Sequence, residues 1–143
     1  MPRRILDASY LFQWFFPGGL RPDLWTTELG LPFAGHPFDL GLMSSLPGAL
    51  QPEEAEIEFS WEALPNLFEG SVITATVEDS ANGLDFAATG FVKRLVGQPG
   101  GGYPAGGVAW PLAASLRRYV RLHVYAPDAG DCTGQMWRFC LVF

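Results

Sequence analysis

Four stretches after residue 52 alternate apolar and polar residues with the two-residue period of a β-strand. In EAEIEFSWE, apolar residues alternate with glutamates, which predicts a strand with one buried and one solvated face. SVITATVED, RRYVRLHVY and QMWRFCLVF repeat the alternation. The predicted buried faces are Ala55, Ile57, Phe59 and Trp61; Ile73, Ala75 and Val77; Val120, Leu122 and Val124; and Trp137, Phe139, Leu141 and Phe143.

Turn-forming residues separate these strands. Asn82-Gly83 favours a tight hairpin, from which the chain would return as a strand through Leu84 to Phe86, with a further strand near Phe91 to Val96. The Gly- and Pro-rich run from Gly97 to Gly107 predicts an exposed loop. Several short strands without a convincing amphipathic helix predict an all-β fold, an antiparallel β-sandwich or jelly roll.

The region from Pro17 to Pro52 is rich in proline and glycine and shows no sustained period, yet it carries many large apolar residues. Such residues are costly to leave in water, so the segment either closes the chain's own core or lies on a neighbouring subunit as an arm. The sequence therefore predicts an extended, irregular N-terminal segment over residues 1 to 50 and a β-sandwich over residues 51 to 143, together one structural unit.

The first residues, MPRRILDASYLFQWFFPGG, imitate a signal peptide. Asp7 and Gln13 interrupt the apolar run, no small-x-small cleavage site follows, and Pro17 ends the run too early for a membrane span. We therefore expect neither a targeting signal nor a membrane partner.

Composition adds to this picture. Of the 143 residues, 48% are hydrophobic and 17% charged, a balance that suggests some apolar surface is covered by partners. The net charge of −6 disfavours binding to nucleic acid or anionic lipid. Two cysteines, Cys132 and Cys140, do not make a secreted disulfide framework, and we expect buried free thiols and synthesis in a reducing cytoplasm.

Residues with catalytic potential are scattered. His36 and His123 each stand alone, and no spacing typical of a zinc, calcium or phosphate site is present. The densest carboxylates, among them Glu54, Glu56 and Glu58, project along one strand face, where a solvated row is a better interpretation than a glycosidase pair. We therefore expect no enzymatic activity, no metal and no cofactor.

Several segments together resemble the cement, or decoration, proteins of tailed, podovirus-like bacteriophages: ILDASYLF, VITATVEDSANGLDF, SLRRYVRLHVY, the DAGDCTG turn and the closing FCLVF. The resemblance implies a jelly roll on the outer surface of the phage head, made in the host cytoplasm. It also implies that the chain bridges neighbouring major capsid proteins without covalent chemistry, and we expect further copies of the chain as a second partner. Residues 17 to 52 are longer and more aromatic than is typical of the family, so contacts there cannot be carried over.

The alternative function is a discoidin-like carbohydrate-binding sandwich, suggested by RRYVRL and by five tryptophans that could stack on sugar rings. For the cement function, the candidate partner-binding residues come from the N-terminal segment and from an arginine face. They are Leu11, Phe12, Trp14, Phe15, Phe16, Trp25, Phe33, Phe38, Arg117, Arg118 and Arg121.

Overall fold

The computed structural model describes residues 11–18, 21–28, 37–40, 55–112, 116–127 and 131–142. These residues form nine strands and one 3₁₀ turn, Thr26–Glu28. The strands are β1 (Leu11–Phe15), β2 (Asp23–Trp25), β3 (Phe38–Asp39), β4 (Glu56–Trp61), β5 (Val72–Ser80), β6 (Ala87–Val96), β7 (Gly106–Pro111), β8 (Tyr119–Tyr125) and β9 (Met136–Val142).

The strands form two antiparallel sheets packed as a sandwich. The first sheet has the order β1-β9-β4-β7, and the second has the order β2-β8-β5-β6. Strand β3 pairs with β8 at Val120 and Tyr119, next to the segment that pairs with β2, so β2 and β3 share one edge of β8. The predicted all-β sandwich is therefore confirmed.

The core lies between the sheets and uses the faces that alternation predicts. Ile57, Ile73, Leu122 and Phe139 are each fully buried at 0% exposure. Aromatic stacks close both edges of the sandwich. Phe38 lies between Phe12 and Phe139, with ring centroids 4.9 and 5.1 Å away, and Phe91 of β6 stacks on Trp110 of β7 at 5.9 Å.

The N-terminal segment is not irregular where the structure describes it. Strand β1 pairs with β9 of the first sheet, whereas β2 and β3 pair with β8 of the second. The prediction of an irregular segment is wrong at these three places, because long-range pairing supplies the order that their short sequences do not show. Residues 41–50 lie outside the described residues, and so does Phe143.

Two loop predictions also need correction. Leu84 and Asp85 lie in a bend and Phe86 precedes β6, so these residues form no strand, and β6 runs from Ala87 to Val96. Gly106 and Gly107 begin β7, which pairs with β4, so the glycine-rich loop ends earlier than the sequence predicts. Gly97 and Gly102 are buried rather than exposed, because their backbones pack against the loop that follows β4.

Loops that follow β1, β4, β6 and β8 meet at one end of the sandwich. The Leu64 N–H donates to the Tyr103 carbonyl at 2.8 Å, which joins the loops after β4 and β6. The Asn66 side chain donates to the Asp131 carbonyl at 3.2 Å, which joins the loops after β4 and β8. This end, called the four-loop end below, is held together by hydrogen bonds, and the β5–β6 turn lies at the opposite end.

Candidate interaction surfaces

Three of the aromatic residues expected to contact a partner are core residues. Phe12, Phe16 and Phe38 are 2%, 2% and 1% exposed. Because their side chains face the inside of the sandwich, they are not accessible to a partner in this folded chain, and their burial speaks against their assignment as partner-binding residues.

The other N-terminal candidates differ in exposure. Leu11 and Trp14 are half-buried, and Trp14 packs against the core. Phe15, on the outer face of the first sheet, is 44% exposed and available for contact. Phe33 lies outside the described residues.

The arginine face is already paired within the chain. Its ion pairs are Arg117 with Asp79 at 2.8 Å, Arg118 with Asp39 at 2.8 Å, and Arg121 with Glu78 at 2.6 Å. The hydrogen bond to Asp39 raises the pKa of the Arg118 guanidinium. Each of these charges therefore has a carboxylate of the same chain beside it, while the Arg117 and Arg118 side chains stay 44% and 52% exposed, and their assignment as partner contacts stays a prediction.

Trp25 and Arg121 belong to a cluster on the outer face of the second sheet. The Trp25 ring stacks on His123 with centroids 4.3 Å apart, and His123 Nε2 lies 2.9 Å from Asp23 Oδ1. The Arg121 guanidinium lies 4.1 Å from the centre of the Phe86 ring. The contacts of Trp25 and Asp23 with His123 join the side chains of β2 and β8, so Trp25 helps to hold β2 on the second sheet.

Phe68 and Leu84, neither of which was singled out from the sequence as a contact residue, are the most exposed large apolar side chains among the described residues. Phe68 is 61% exposed and Leu84 is 83% exposed. The sequence could have indicated the exposure of Phe68, because this large apolar residue lies inside a turn-forming stretch, PNLFEGS. The sequence predicts a strand at Leu84, so it does not indicate that this residue projects from a turn.

Phe68 is displayed on a rigid loop at the four-loop end. Its carbonyl oxygen accepts a hydrogen bond from Ser71 N at 3.0 Å, and Gly70 N donates to the Gly97 carbonyl at 3.0 Å. A Cβ atom on Gly97 would lie only 1.9 Å from the Phe68 oxygen, so the two loops are in direct backbone contact. The position of Phe68 is therefore fixed before any partner binds.

Leu84 is held in a similarly fixed turn. The Asn82 side-chain oxygen accepts hydrogen bonds from the N–H groups of Leu84 and Asp85, both at 2.9 Å. The Ser80 hydroxyl oxygen accepts from the N–H groups of Asn82 and Gly83 at 3.2 and 3.0 Å. Gly83 has a φ of 78°, which a side chain would disfavour. Leu84 therefore projects from a turn with its own hydrogen-bond network.

Strand β5 separates these two exposed residues. Phe68 precedes it and Leu84 follows it, and β5 is nine residues long. At the usual rise per residue a strand of that length spans about 30 Å. Phe68 and Leu84 therefore lie at opposite ends of the sandwich, on rigid supports.

The remaining features of the described part of the chain concern metal-binding groups, cysteine thiols and membrane-spanning helices. No group of three or more His, Cys, Asp or Glu side chains is arranged to hold a metal ion there. Cys132 and Cys140 are buried thiols, as predicted, and burial raises the pKa of Cys132. No helix among the described residues has the length and apolar character needed to cross a membrane.

Comparison with known proteins identifies no relative: no protein-family model, no curated protein and no solved structure matches the chain.

Proposed function

We propose that this chain is a capsid cement protein, a viral structural subunit that binds the outer surface of a phage head and clamps neighbouring major capsid proteins. The observation that carries the proposal is the placement of Phe68 and Leu84 on rigid loops at opposite ends of β5. A subunit that bridges two neighbours needs a contact at each end, and this arrangement provides one.

The energetics of binding favour such residues as contacts. A few well-packed residues contribute most of the binding free energy of an interface, and burying an exposed Phe or Leu side chain stabilises by roughly 1.5–3 kcal/mol. Rigid presentation lowers the conformational entropy lost on binding, because the loops need not be ordered by the partner. The hydrogen bonds around Asn82 and the backbone contact of Gly97 supply that rigidity. We therefore assign Phe68 and Leu84 as the principal capsid contacts, with Phe15 as a further candidate.

We further infer that the sandwich is a jelly roll. Counting β2 and β3 as one interrupted position, each sheet has four positions, and the chain crosses between sheets at all but one of its connections. A two-sheet, eight-position Greek-key arrangement of this kind is shared by viral capsid and lectin domains. The strand order supports a viral structural function but does not by itself select it, since one fold serves many functions.

In this proposal the protein is made in the host cytoplasm and acts on the virion. Its partners are the major capsid protein and further copies of itself, and its activity is binding alone, without a cofactor. The net charge of −6 agrees with a contact surface other than nucleic acid.

Mass spectrometry of purified mature particles tests the proposal directly. The chain should be present in the particles of the virus that encodes it, and its absence from them would overturn the cement function. Phe68→Ser or Leu84→Ser should weaken binding to particles that lack the chain by about tenfold or more, the loss typical of an interface hot spot.

Val92→Thr is the matched control for these substitutions. Val92 is 42% exposed, but it lies within β6 rather than at an end of the sandwich. It should bind particles like the wild type. Equal losses for Val92→Thr and Leu84→Ser would show that binding does not depend on the two ends.

The carbohydrate-binding alternative gains no specific support. Trp61 and Trp137 are core residues at 8% and 1% exposure, and Trp14 and Trp110 pack against the core. Trp25 already stacks on His123. Two of the five tryptophans are therefore enclosed in the core, and the other three already pack against neighbouring side chains.

A further inference from the structure

The turn between β5 and β6 contains the one Asn-Gly pair of the sequence, Asn82-Gly83. Asparagine is among the chemically labile residues of proteins, and Asn82 is exposed to solvent. Gly83 has no side chain that would crowd the asparagine, and its φ is 78°. The chain has one other asparagine, Asn66, which is followed by the bulkier Leu67. Water therefore has access to Asn82, and Asn66 serves as an internal comparison.

An asparagine that precedes a glycine can undergo deamidation, a reaction that needs water but no enzyme. Hydroxide takes the proton from the Gly83 nitrogen, which then attacks Cγ of Asn82 and closes a succinimide ring. The Cγ–Nδ2 bond breaks, and the nitrogen leaves as ammonia after taking a proton from water, which restores the hydroxide. Water then opens the ring at either of its carbonyl carbons and leaves aspartate or isoaspartate. The net reaction consumes water and releases ammonia.

The Asn82 carboxamide is held at both of its polar atoms. Its Oδ1 accepts hydrogen bonds from the Ser80 hydroxyl and from the N–H groups of Leu84 and Asp85, all at 2.9 Å. Its Nδ2 donates to Asp85 Oδ2, also at 2.9 Å. Ring closure has to turn the carboxamide so that Cγ meets the Gly83 nitrogen, and a connected set of hydrogen bonds opposes this rotation. The turn therefore restrains the group that is attacked.

The attacking nitrogen is restrained as well. Gly83 N donates to Ser80 Oγ at 3.0 Å, so removal of its proton would break this hydrogen bond. Ser80 is 0% exposed, and its hydroxyl is bonded to both the carboxamide and the Gly83 nitrogen. The Asp85 carboxylate beside the carboxamide disfavours a further negative charge on that nitrogen. Ser80 and Asp85 therefore both oppose the reaction.

The donors around Oδ1 also have an opposite effect. They would stabilise the negative charge that develops on this oxygen when the nitrogen attacks. Such donors accelerate a reaction when they are aimed at the position that the oxygen occupies in the transition state. Here they hold the unreacted carboxamide, whose Nδ2 is bonded to Asp85, while the proton of the nucleophile is bonded to Ser80. We therefore expect the restraint to outweigh the stabilisation.

We propose that Asn82 is a deamidation site, and that the Ser80 hydroxyl and the Asp85 carboxylate keep the reaction slow while the turn is closed. Opening of the turn releases both restraints. The site undergoes covalent modification and does not depend on the proposed capsid contacts.

Deamidation alters the turn that displays Leu84. Aspartate replaces the Nδ2 donor with an oxygen, so two carboxylates face each other where a hydrogen bond of 2.9 Å joined Asn82 to Asp85. Isoaspartate routes the main chain through the former side chain and lengthens it by a carbon atom. The hydrogen bonds from Leu84 N and Asp85 N to Oδ1 then lose their geometry. The Leu84 amide is therefore a second reporter of the reaction.

Peptide mass spectrometry of the full chain tests the site after prolonged incubation at neutral pH, with and without urea. The native chain should lose Asn82 about tenfold more slowly than the unfolded chain, because the reaction has to break hydrogen bonds that are intact only in the closed turn. Asn66 should stay unmodified in both conditions, because Leu67 crowds the attacking nitrogen. The Leu84 amide resonance of the native chain should shift as the product accumulates.

Two variants separate the restraints. Ser80→Ala should accelerate the loss of Asn82 in the native chain by about fivefold, since the carboxamide and the Gly83 nitrogen each lose a hydrogen bond. Asp85→Ala should accelerate it by about threefold through loss of the Nδ2 acceptor. Because Asp85 is exposed, this variant guards against a fold defect at the buried Ser80 position. Asp131→Ala removes an exposed carboxylate from another turn and should leave the rate unchanged.

Three results would overturn the proposal. Equal rates in the native and the unfolded chain would show that the turn imposes no restraint. Slower loss of Asn82 in Asp85→Ala would make the carboxylate a promoter of the reaction. An intact Asn82 in the unfolded chain would show that it is no deamidation site. None of these measurements involves particles, so the cement function and the deamidation site can fail separately.

Discussion

Arg117 and Arg118 are adjacent residues of the same type whose partners differ in burial. The Asp79 side chain is 8% exposed and accepts hydrogen bonds from Arg117 N at 3.0 Å and Arg117 Nε at 2.9 Å. The Asp39 side chain, paired with Arg118, is 21% exposed. Because desolvation raises the cost of an uncompensated charge, the Arg117 pair should contribute more to stability.

Alanine substitutions compare the two pairs. We expect Arg117→Ala to lower the free energy of unfolding by about 1–2 kcal/mol, since it leaves the buried Asp79 with fewer donors while the arginine itself is partly solvated. Arg118→Ala should have a clearly smaller effect, because water screens that pair. Urea unfolding of both variants measures the difference. A larger loss for Arg118→Ala would contradict the assigned importance of burial.

For single residues, the sequence predicts which side chains are buried better than it predicts which side chains form ion pairs with each other. Alternation is a local property, and it correctly placed Ile57, Ile73 and Leu122 in the core. Partner choice is not local: Arg117 and Asp79 are 38 positions apart, and Arg118 and Asp39 are 79 positions apart. No pattern within one strand indicates that these arginines would be paired inside the chain.

The strands that the sequence does not predict all form through pairing with distant strands. Strands β1, β2 and β3 have five, three and two residues, too few to show a clear period. Strand β7 begins with two glycines, which disfavour strands by propensity. A Cβ atom on Gly106 would lie 3.1 Å from the Trp61 ring, so the small residue lets β7 approach β4. Pairing with distant strands therefore determines these elements, and local propensity does not.

The contact between the loops after β4 and β6 is testable through Gly97. We expect Gly97→Ala to destabilise the protein by about 3 kcal/mol, because the new Cβ atom would overlap the Phe68 carbonyl oxygen and must push the two backbones apart. Thermal and urea unfolding measure the loss, and the Phe68 amide resonance should move as its loop is displaced.

Gly90→Ala is the matched control for the same chemical change. It lies within β6, and a Cβ atom there would have nothing within 4 Å. An alanine in a strand loses less conformational entropy than a glycine, so this variant should be neutral or stabilised by about 0.5 kcal/mol. Similar effects at both positions would mean that the loop contact does not govern stability.

At the scale of the whole molecule, the proposed cement function would make the sandwich a spacer that fixes the distance between two capsid contacts. The four-loop end carries Phe68, the opposite end carries Leu84, and β5 links them as one continuous strand. The core on one face of β5 and its pairing with β6 and β8 on both edges keep that strand from bending freely. A rigid spacer transmits a constraint between the two subunits that it joins, whereas a flexible one would only tether them.

Under the proposed function, a rigid bridging subunit would reinforce the shell, whereas a subunit bound at one end would only decorate it. A ligand stabilises the assembled shell when it binds the shell more tightly than it binds the separate subunits. A bridging subunit has this higher affinity only when both of its ends bind capsid proteins. Wild-type protein should therefore raise the temperature at which particles disassemble. Phe68→Ser and Leu84→Ser should each abolish that increase even at concentrations that restore occupancy, because a subunit attached at one end adds no link between neighbours. Val92→Thr should reinforce the shell like the wild type, and full reinforcement by either end variant would contradict the clamp.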